Sequence, residues 1–207
     1  MSIDKWLFVC EGTRTEPDYL KALERRINRD KARVDFCVKG VAKPPRGVVN
    51  RAAAFVCAAA ELSAAAIPFD RVFTVFDKDA FSASEFNDAA YISDKNGFVP
   101  LWSNESFELW LLLHFDYMDT AVTRENYLGI LKSDFKESFG KKYSKSNAGN
   151  FDLLSGGGKT AKAVYNAKRL AAKYDESLSP AHKNPCTMFY RLFEIIEDEL
   201  GVACSRL

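Results

Sequence analysis

The chain contains 207 residues, of which 47% are hydrophobic and 28% are charged, and its formal net charge is +1. This composition is ordinary for a globular protein with one large domain, or with a core and an appendage, and it excludes a polycation. The sequence has no apolar run near the roughly 18 residues of a membrane helix and no signal-peptide pattern, so we expect a cytoplasmic protein.

Strand and helix patterns alternate through the first half of the chain. Continuous apolar runs such as WLFVC are typical of parallel strands that are buried on both faces, and Thr15 is a typical helix N-cap. In chain order the pattern predicts a strand at 5–10, a helix at 16–29, a strand at 34–38, a helix at 48–66, a strand at 71–76, a helix at 84–96, a strand at 98–102 and a helix at 105–115.

The second half of the chain has a different pattern. Helices are predicted at 124–139, 160–174 and 187–200, and the first two are separated by a loop rich in Lys, Ser, Asn and Gly. The alternating order predicts an α/β fold, with a mostly parallel sheet of about four strands flanked by helices. We assign residues 1–117 to this core and residues 118–207 to a mainly helical appendage packed on it.

Cysteine and histidine usage narrows the possible chemistry. The five cysteines are far apart and include no C-x-x-C pair, which favours buried thiols over a zinc or redox site. The chain has only two histidines, His114 and His182, so a Ser-His-Asp site or a histidine-rich zinc site is not expected. If the protein is an enzyme, carboxylates should carry its chemistry.

Three carboxylates follow the ends of two predicted strands. Glu11 follows the first strand, and Asp77 and Asp79 follow the third, in the segment VFTVFDKDAF. In extended chain, residues two apart project to the same side. With the common strand order 2-1-3-4, the first and third strands are neighbours, and ligands bind beyond the carboxyl ends of such sheets. We therefore expect Glu11, Asp77 and Asp79 to converge, although each could singly be a turn or helix-start acid.

Converging carboxylates repel one another, and a hard divalent cation relieves that repulsion. We expect Mg²⁺, or Mn²⁺, held by Glu11, Asp77 and Asp79. Such an ion activates water and stabilises charge on a phosphoryl group. Glu11 could then act as a general base or acid.

Four sequence blocks, two of which carry these carboxylates, resemble a known family. The blocks VCEGTRTEPDYL, VFDKDAF and SNESFELWLLLHF, with NPCTMFYRLFEII near the C-terminus, resemble the signature blocks of the RloB-like family over nearly the whole chain. That family is considered related to the Toprim domain, whose glutamate and D-x-D roles correspond to Glu11, Asp77 and Asp79. The chain departs from the family pattern at Glu105, where the family usually has proline.

The resemblance implies a Toprim/Rossmann-like fold and a Mg²⁺-dependent nuclease, or nuclease subunit, in restriction and anti-phage defence. Its target would be DNA or RNA, with tRNA among the candidates, and an RloA-like ATPase would be a partner. One alternative is a non-catalytic partner or sensor subunit of an ATPase-containing defence complex. Another is a different phosphotransferase on the same fold.

The predicted helix at 105–115 carries a further candidate. This helix is apolar almost all round, so it should be buried, and Asn104, Glu105 and Glu108 would share one side of its first turn. A buried carboxylate must be paired, protonated or near a metal. We therefore assign Glu108 to the catalytic site and give His114 a structural role.

A basic segment provides candidates for nucleic-acid binding. Residues 124–183 contain twelve Lys or Arg and six Asp or Glu, a local excess of +6. The motif SGGGKT at 155–160 lacks the first glycine of a P-loop, since position 153 is leucine. It could still bind phosphate at a helix start, or be a flexible loop with a cap. We assign phosphate contacts to Lys141, Lys142, Lys159 and Lys162.

Overall fold

The structure is a computed structural model that describes residues 3–29, 33–62, 69–145, 147, 149–155 and 159–207. The first half contains β1 (Asp4–Cys10), α1 (Thr15–Arg29), β2 (Val34–Gly40), α2 (Pro45–Leu62), β3 (Arg71–Asp77), α3 (Ala83–Lys95), β4 (Val99–Asn104) and α4 (Glu108–Leu112). The second half contains α5 (Arg124–Phe139), α6 (Asn150–Leu154), α7 (Lys159–Ala171), β5 (Cys186–Thr187) and α8 (Tyr190–Leu200). No helix in these ranges is long and apolar enough to cross a membrane.

The predicted α/β fold is confirmed. The sheet has the order β2-β1-β3-β4-β5, and its first four strands are parallel. The expected adjacency of the first and third strands is therefore correct, with Cys10 paired to Val75 at their carboxyl ends. Both strands are fully buried toward those ends, as their unbroken apolar runs predicted.

A fifth strand was not predicted. β5 consists of two residues and pairs antiparallel with the end of β4, with Cys186 opposite Asn104. A strand this short has too few residues to show an alternating pattern. It comes from the second half of the chain, so residues on both sides of position 117 contribute to one sheet.

Several helix predictions differ from the structure at their ends. The helix predicted at 187–200 is wrong at its start, because Thr187 belongs to β5 and α8 begins only at Tyr190. The helix predicted at 160–174 is α7, which occupies Lys159–Ala171.

The helix predicted at 105–115 is wrong at its start: β4 continues through Asn104, and α4 occupies only Glu108–Leu112. Asn104 and Glu105 therefore do not share a helical turn with Glu108. The helix predicted at 48–66 begins at Pro45 and is described to Leu62; its predicted end lies outside the described residues.

Two apolar layers cover the sheet. On one face, α2 and α3 bury residues such as Val48 and Phe86 against β1, β3 and β4. On the other face, a larger cluster joins α1 and α4 to helices of the second half. Phe189 lies at its centre, with its ring centroid 5.0 Å from that of Phe107 and 5.2 Å from that of Trp110. This packing places α4 and the start of α5 beside the carboxyl end of β3.

Candidate functional site

Glu11 lies where β1 ends, in direct contact with the end of β3. Its backbone N–H donates to the carbonyl of Val75 at 2.8 Å. Its side-chain Oε2 accepts a hydrogen bond of 3.1 Å from the backbone N–H of Asp77. The strand order thus brings Glu11 and Asp77 together although they are 66 residues apart in sequence.

The two aspartates of the D-x-D segment have different environments. Asp77 is the last residue of β3 and is 5% exposed. Asp79 lies in the following turn with a φ of 37°, so the expected extended arrangement of this pair is wrong. The Asp79 carboxylate forms an ion pair with Arg124 at the start of α5. Asp77 therefore faces the buried end of the sheet, whereas Asp79 lies nearer the surface.

A cavity of about 630 Å³ opens at this carboxyl edge of the sheet. We call it the acidic cavity, because four carboxylate side chains line it: Glu11, Glu16, Asp77 and Glu108. Cationic side chains also line it, from the β1–α1 turn, the β2–α2 loop, α5 and the loop after α5: Arg14, Lys43, Arg124 and Lys145. Asp79 is not part of the lining.

Glu16 belongs to this site although no sequence pattern indicated it. An acid in the first turn of a helix is normally explained by the helix dipole, and Glu16 occupies that position in α1. In the structure it is 6% exposed and points into the acidic cavity. A Cβ atom at Gly12 would lie 2.2 Å from Glu16 Oε2, so the glycine at position 12 makes room for this carboxylate.

Glu108 lies in the cavity wall, as predicted, but it is already paired. It is 2% exposed, and its Oε1 lies 2.5 Å from Lys145 Nζ. Its Oε2 has no hydrogen-bond partner among the described residues and lies 3.8 Å from Arg124 Nε. Arg124 and Lys145 were not predicted as site residues, because single cations in a basic segment have no sequence signature that separates them from solvated ones.

Burial and mutual repulsion raise the pKa values of three cavity carboxylates. Desolvation raises the pKa of Glu11 to about 7, and the charges of Glu16 and Asp79 add to this. Burial, with repulsion from Glu16, Glu108 and Glu11, raises the pKa of Asp77 well above its usual range. Burial and the charge of Glu108 likewise raise the pKa of Glu16. The site therefore holds more acidic groups than it can keep ionised without an added cation.

The pKa of Glu108 is shifted in the opposite direction. Burial alone would raise its pKa, but the charge of the Lys145 ammonium and its contact with the carboxylate, together with the charge of Arg124, outweigh burial and lower it. Glu108 is thus ionised at neutral pH. Perturbed titration of this kind, concentrated in one cavity, is a recognised mark of a functional site.

The donor set suits a hard divalent ion. Carboxylate oxygens are the ligands that Mg²⁺ prefers, and Mg²⁺ needs only one or two of them because it keeps several waters. In the ranges that the structure describes, no cationic side chain forms an ion pair with Glu11, Asp77 or Glu16. Among the described residues, however, no three His, Cys, Asp or Glu side chains already form a ligand group. Binding would therefore require side-chain movement or bridging waters.

The predicted phosphate-contacting lysines lie outside the acidic cavity. Lys141 and Lys142 are exposed in the loop that follows α5. The Lys159 ammonium lies 4.2 Å from the ring centroid of Phe139, and Lys162 donates to the Phe115 carbonyl. Three residues of the glycine-rich motif, 156–158, lie outside the described residues. The cationic side chains that the structure brings to the acidic cavity are different ones.

Fold and site together define an α/β protein with a carboxylate-lined cavity at the carboxyl edge of a parallel sheet. The model of the RloB-like protein family matches residues 6–196, which is nearly the whole chain. The protein therefore belongs to the RloB-like family. No curated protein and no solved structure matches the chain.

Proposed function

We propose that this protein is a metal-dependent nuclease that hydrolyses phosphodiester bonds in DNA or RNA, tRNA included. The carrying observation is the acidic cavity, where Glu11, Glu16 and Asp77 meet at the ends of β1 and β3 with raised pKa values. Such a site favours binding of a divalent cation, which lowers the repulsion between carboxylates. Mg²⁺ or Mn²⁺ in this position would activate water and stabilise charge on the phosphoryl group.

Side chains of this protein would carry out proton transfer, metal binding and stabilisation of the substrate's charge. Glu11 has a pKa of about 7, which suits a group that accepts and returns a proton near neutral pH. Asp77 and Glu16 would hold the metal, since neither forms an ion pair with a cationic side chain in the part of the chain that the structure describes. Arg124, which is paired with Asp79 and lies near Glu108, would stabilise negative charge on the substrate phosphate.

Cleavage assays with Mg²⁺ or Mn²⁺ test this proposal directly. We expect the wild-type protein to cut labelled DNA or RNA, alone or with its ATPase partner, and Glu11→Gln or Asp77→Asn to reduce the rate at least about 100-fold. Glu61→Gln and Asp88→Asn make the same chemical changes at exposed positions on α2 and α3 and should cut normally. Cleavage that survives both cavity substitutions would show that the site is assigned wrongly.

Two observations favour a second function. Arg124 and Lys145 already neutralise Asp79 and Glu108, and no three described acids form a ligand group. A protein with these features could be a non-catalytic partner or sensor in a defence complex. In that case Glu11→Gln with Asp77→Asn would leave both complex formation and phage protection intact.

The family supports the cellular setting that we propose. We place the protein in restriction-associated anti-phage defence in the cytoplasm, with an RloA-like ATPase as partner and a Toprim-related catalytic core. Co-purification of the two proteins, together with phage challenge of cells that carry Glu11→Gln, would test this setting.

A further inference from the structure

The acidic cavity poses an electrostatic problem for the substrate that we propose. A phosphodiester chain carries one negative charge per phosphate, and it must approach a surface lined by four carboxylates. Two of the lining cations cannot fully compensate, because Arg124 and Lys145 are held in ion pairs by Asp79 and Glu108. The substrate therefore needs cationic side chains that are not already paired.

Two lining residues meet this requirement. Arg14, in the β1–α1 turn, and Lys43, in the β2–α2 loop, are exposed and line the acidic cavity. Within the described part of the chain, neither forms an ion pair. They lie on the β1–β2 side of the cavity, whereas Arg124 and Lys145 come from α5 and the loop that follows it.

The two loops that carry these residues are fixed against each other. Beyond the paired strands, Val41 N–H donates to the Cys10 carbonyl at 2.9 Å, and Ala42 N–H donates to the Glu11 carbonyl at 3.0 Å. A Cβ atom at Gly40 would lie 2.6 Å from the Gly12 carbonyl oxygen, so the two backbones are in close contact. Arg14 and Lys43 are thus attached to one rigid platform beside Glu11.

We propose that Arg14 and Lys43 bind the phosphate backbone of a nucleic-acid substrate and hold it across the β1–β2 edge of the acidic cavity. This inference rests on the proposed function, and it moves the expected phosphate contacts away from Lys141, Lys142, Lys159 and Lys162. The contacts are to phosphates and not to bases, so they give affinity without sequence preference.

Binding without cleavage tests the assignment. Fluorescence anisotropy in EDTA would measure the affinity of the full chain for short labelled single strands of DNA and RNA and for duplex DNA, over a range of salt concentrations. We expect R14Q/K43Q to weaken binding about tenfold or more at low salt, and to reduce the salt slope by about one unit per residue. Comparison of the affinities for single-stranded DNA, single-stranded RNA and duplex DNA identifies which nucleic acid Arg14 and Lys43 bind most tightly.

Matched variants separate this role from bulk charge. R25Q/K132Q removes the same net charge at exposed positions farther along α1 and α5 and should change affinity much less. R14K/K43R retains both charges and should bind close to wild type. Equal losses in R14Q/K43Q and R25Q/K132Q, or no binding by the wild-type chain to any of the three probes, would overturn the proposal.

The binding experiment can be interpreted whether or not the protein hydrolyses nucleic acid. A wild-type chain that binds through Arg14 and Lys43 but never cuts would remove the nuclease proposal and leave this one standing. If the wild-type chain cuts, and R14Q/K43Q has the same KM and the same affinity as wild type, the nuclease proposal stands and the assignment of Arg14 and Lys43 is wrong.

Discussion

Glu11 shows most directly how the environment of one carboxylate affects the whole protein. Its folded-state pKa of about 7 lies above the ordinary value of 4.5, so the native state binds its proton more tightly than the unfolded chain. The free energy of unfolding must then fall as pH rises through the window from about 4.5 to about 7. In metal-free buffer, we predict a lower melting temperature at about pH 8 than at about pH 5.

Glu11→Gln removes this titration and should flatten the pH profile in that window. A slope remains, because the pKa values of Asp77 and Glu16 are raised as well. Glu61→Gln, at an exposed position of α2, should leave the wild-type slope unchanged. Differential scanning fluorimetry in EDTA measures the profiles, and an identical slope in Glu11→Gln and wild type would contradict the prediction.

The Glu108–Lys145 ion pair allows a second prediction about a single side chain. Lys145→Met leaves a carboxylate that is 2% exposed, whose remaining cationic neighbour among the described residues is Arg124, at 3.8 Å. Since Lys145 itself is partly exposed, we expect a loss of about 1–2 kcal/mol of unfolding free energy rather than the full cost of breaking a buried pair. Lys141→Met, at an exposed position without an ion pair in the described residues, should cost much less.

The pH dependence of that loss has a definite sign. The pKa of Glu108 is lowered in the fold, so its pairing contributes stability above the ordinary pKa of 4.5 and loses it as pH falls below that value. Urea unfolding of both variants near neutral and near acidic pH would measure this. A Lys145→Met penalty that grows on acidification would show that the pair is assigned wrongly.

Sequence alone could place Glu11, Asp77 and Glu108 because each one follows, or interrupts, an apolar run. The same reasoning missed Glu16, whose position in the first turn of α1 already has an ordinary explanation in the helix dipole. Its burial depends on how α1 meets the end of β3, and that is a tertiary property. Arg124 and Lys145 were missed for the same reason, since only the fold shows which cations of the basic segment face the cavity.

Among the elements, the contact between the β1–α1 turn and the β2–α2 loop is the part of the scaffold that positions the site. A methyl group at Gly40 would lie 2.6 Å from the Gly12 carbonyl oxygen and 2.7 Å from Thr13 Cα. Both neighbours are backbone atoms, so Gly40→Ala must force the loops apart. We predict a loss of about 1–3 kcal/mol in unfolding free energy, measured by urea denaturation, and weaker oligonucleotide binding.

A second glycine supplies the matched control. Gly129 lies inside α5, and an added Cβ there would meet no atom within 4 Å. Gly129→Ala should therefore stabilise the protein by about 0.5–1 kcal/mol through helix propensity. If Gly40→Ala were as stable as wild type, the close approach of the two loops would not be needed for the fold.

Element prediction succeeded where the apolar pattern had a clear period or a clear end. β1 and β3 are continuous apolar runs that end at Glu11 and Asp77, and their neighbouring positions followed from a common strand order. α4 was predicted too long because an all-apolar segment has no period that separates the end of β4 from a buried helix. β5 forms where the segment before α8 pairs with the end of β4, and two residues carry no pattern of their own.

On the scale of the whole molecule, the two halves of the chain share one apolar core. The cluster that covers one sheet face includes Trp6 and Phe36 from the strands and Leu131, Leu170 and Phe193 from helices after position 117. The division at residue 117 stays a prediction about organisation. The shared core nevertheless gives a physical reason to expect one cooperative unfolding transition rather than two.

Phe189 provides the test of that expectation. It is fully buried, and its ring packs against Tyr19, Phe107 and Trp110, with centroids 5.6, 5.0 and 5.2 Å away. Phe189→Ala should cost about 3–5 kcal/mol and shift every probe of unfolding together. Tyr165→Ala, at an aromatic position that is 67% exposed, should change the unfolding free energy by less than about 0.5 kcal/mol.

Tryptophan fluorescence and far-UV circular dichroism report on different parts of this core. Trp6 lies within the sheet and Trp110 lies at the junction with Phe189 and Phe193, whereas circular dichroism is dominated by the helices. Coincident urea transitions in wild type and in Phe189→Ala would establish a single unit. A chain ending at residue 117 should then fail to fold, because Phe107 and Trp110 lose the ring of Phe189 that packs against both of them. Separate transitions, or a folded 1–117 fragment, would show instead that the second half is an independent layer on a self-sufficient core.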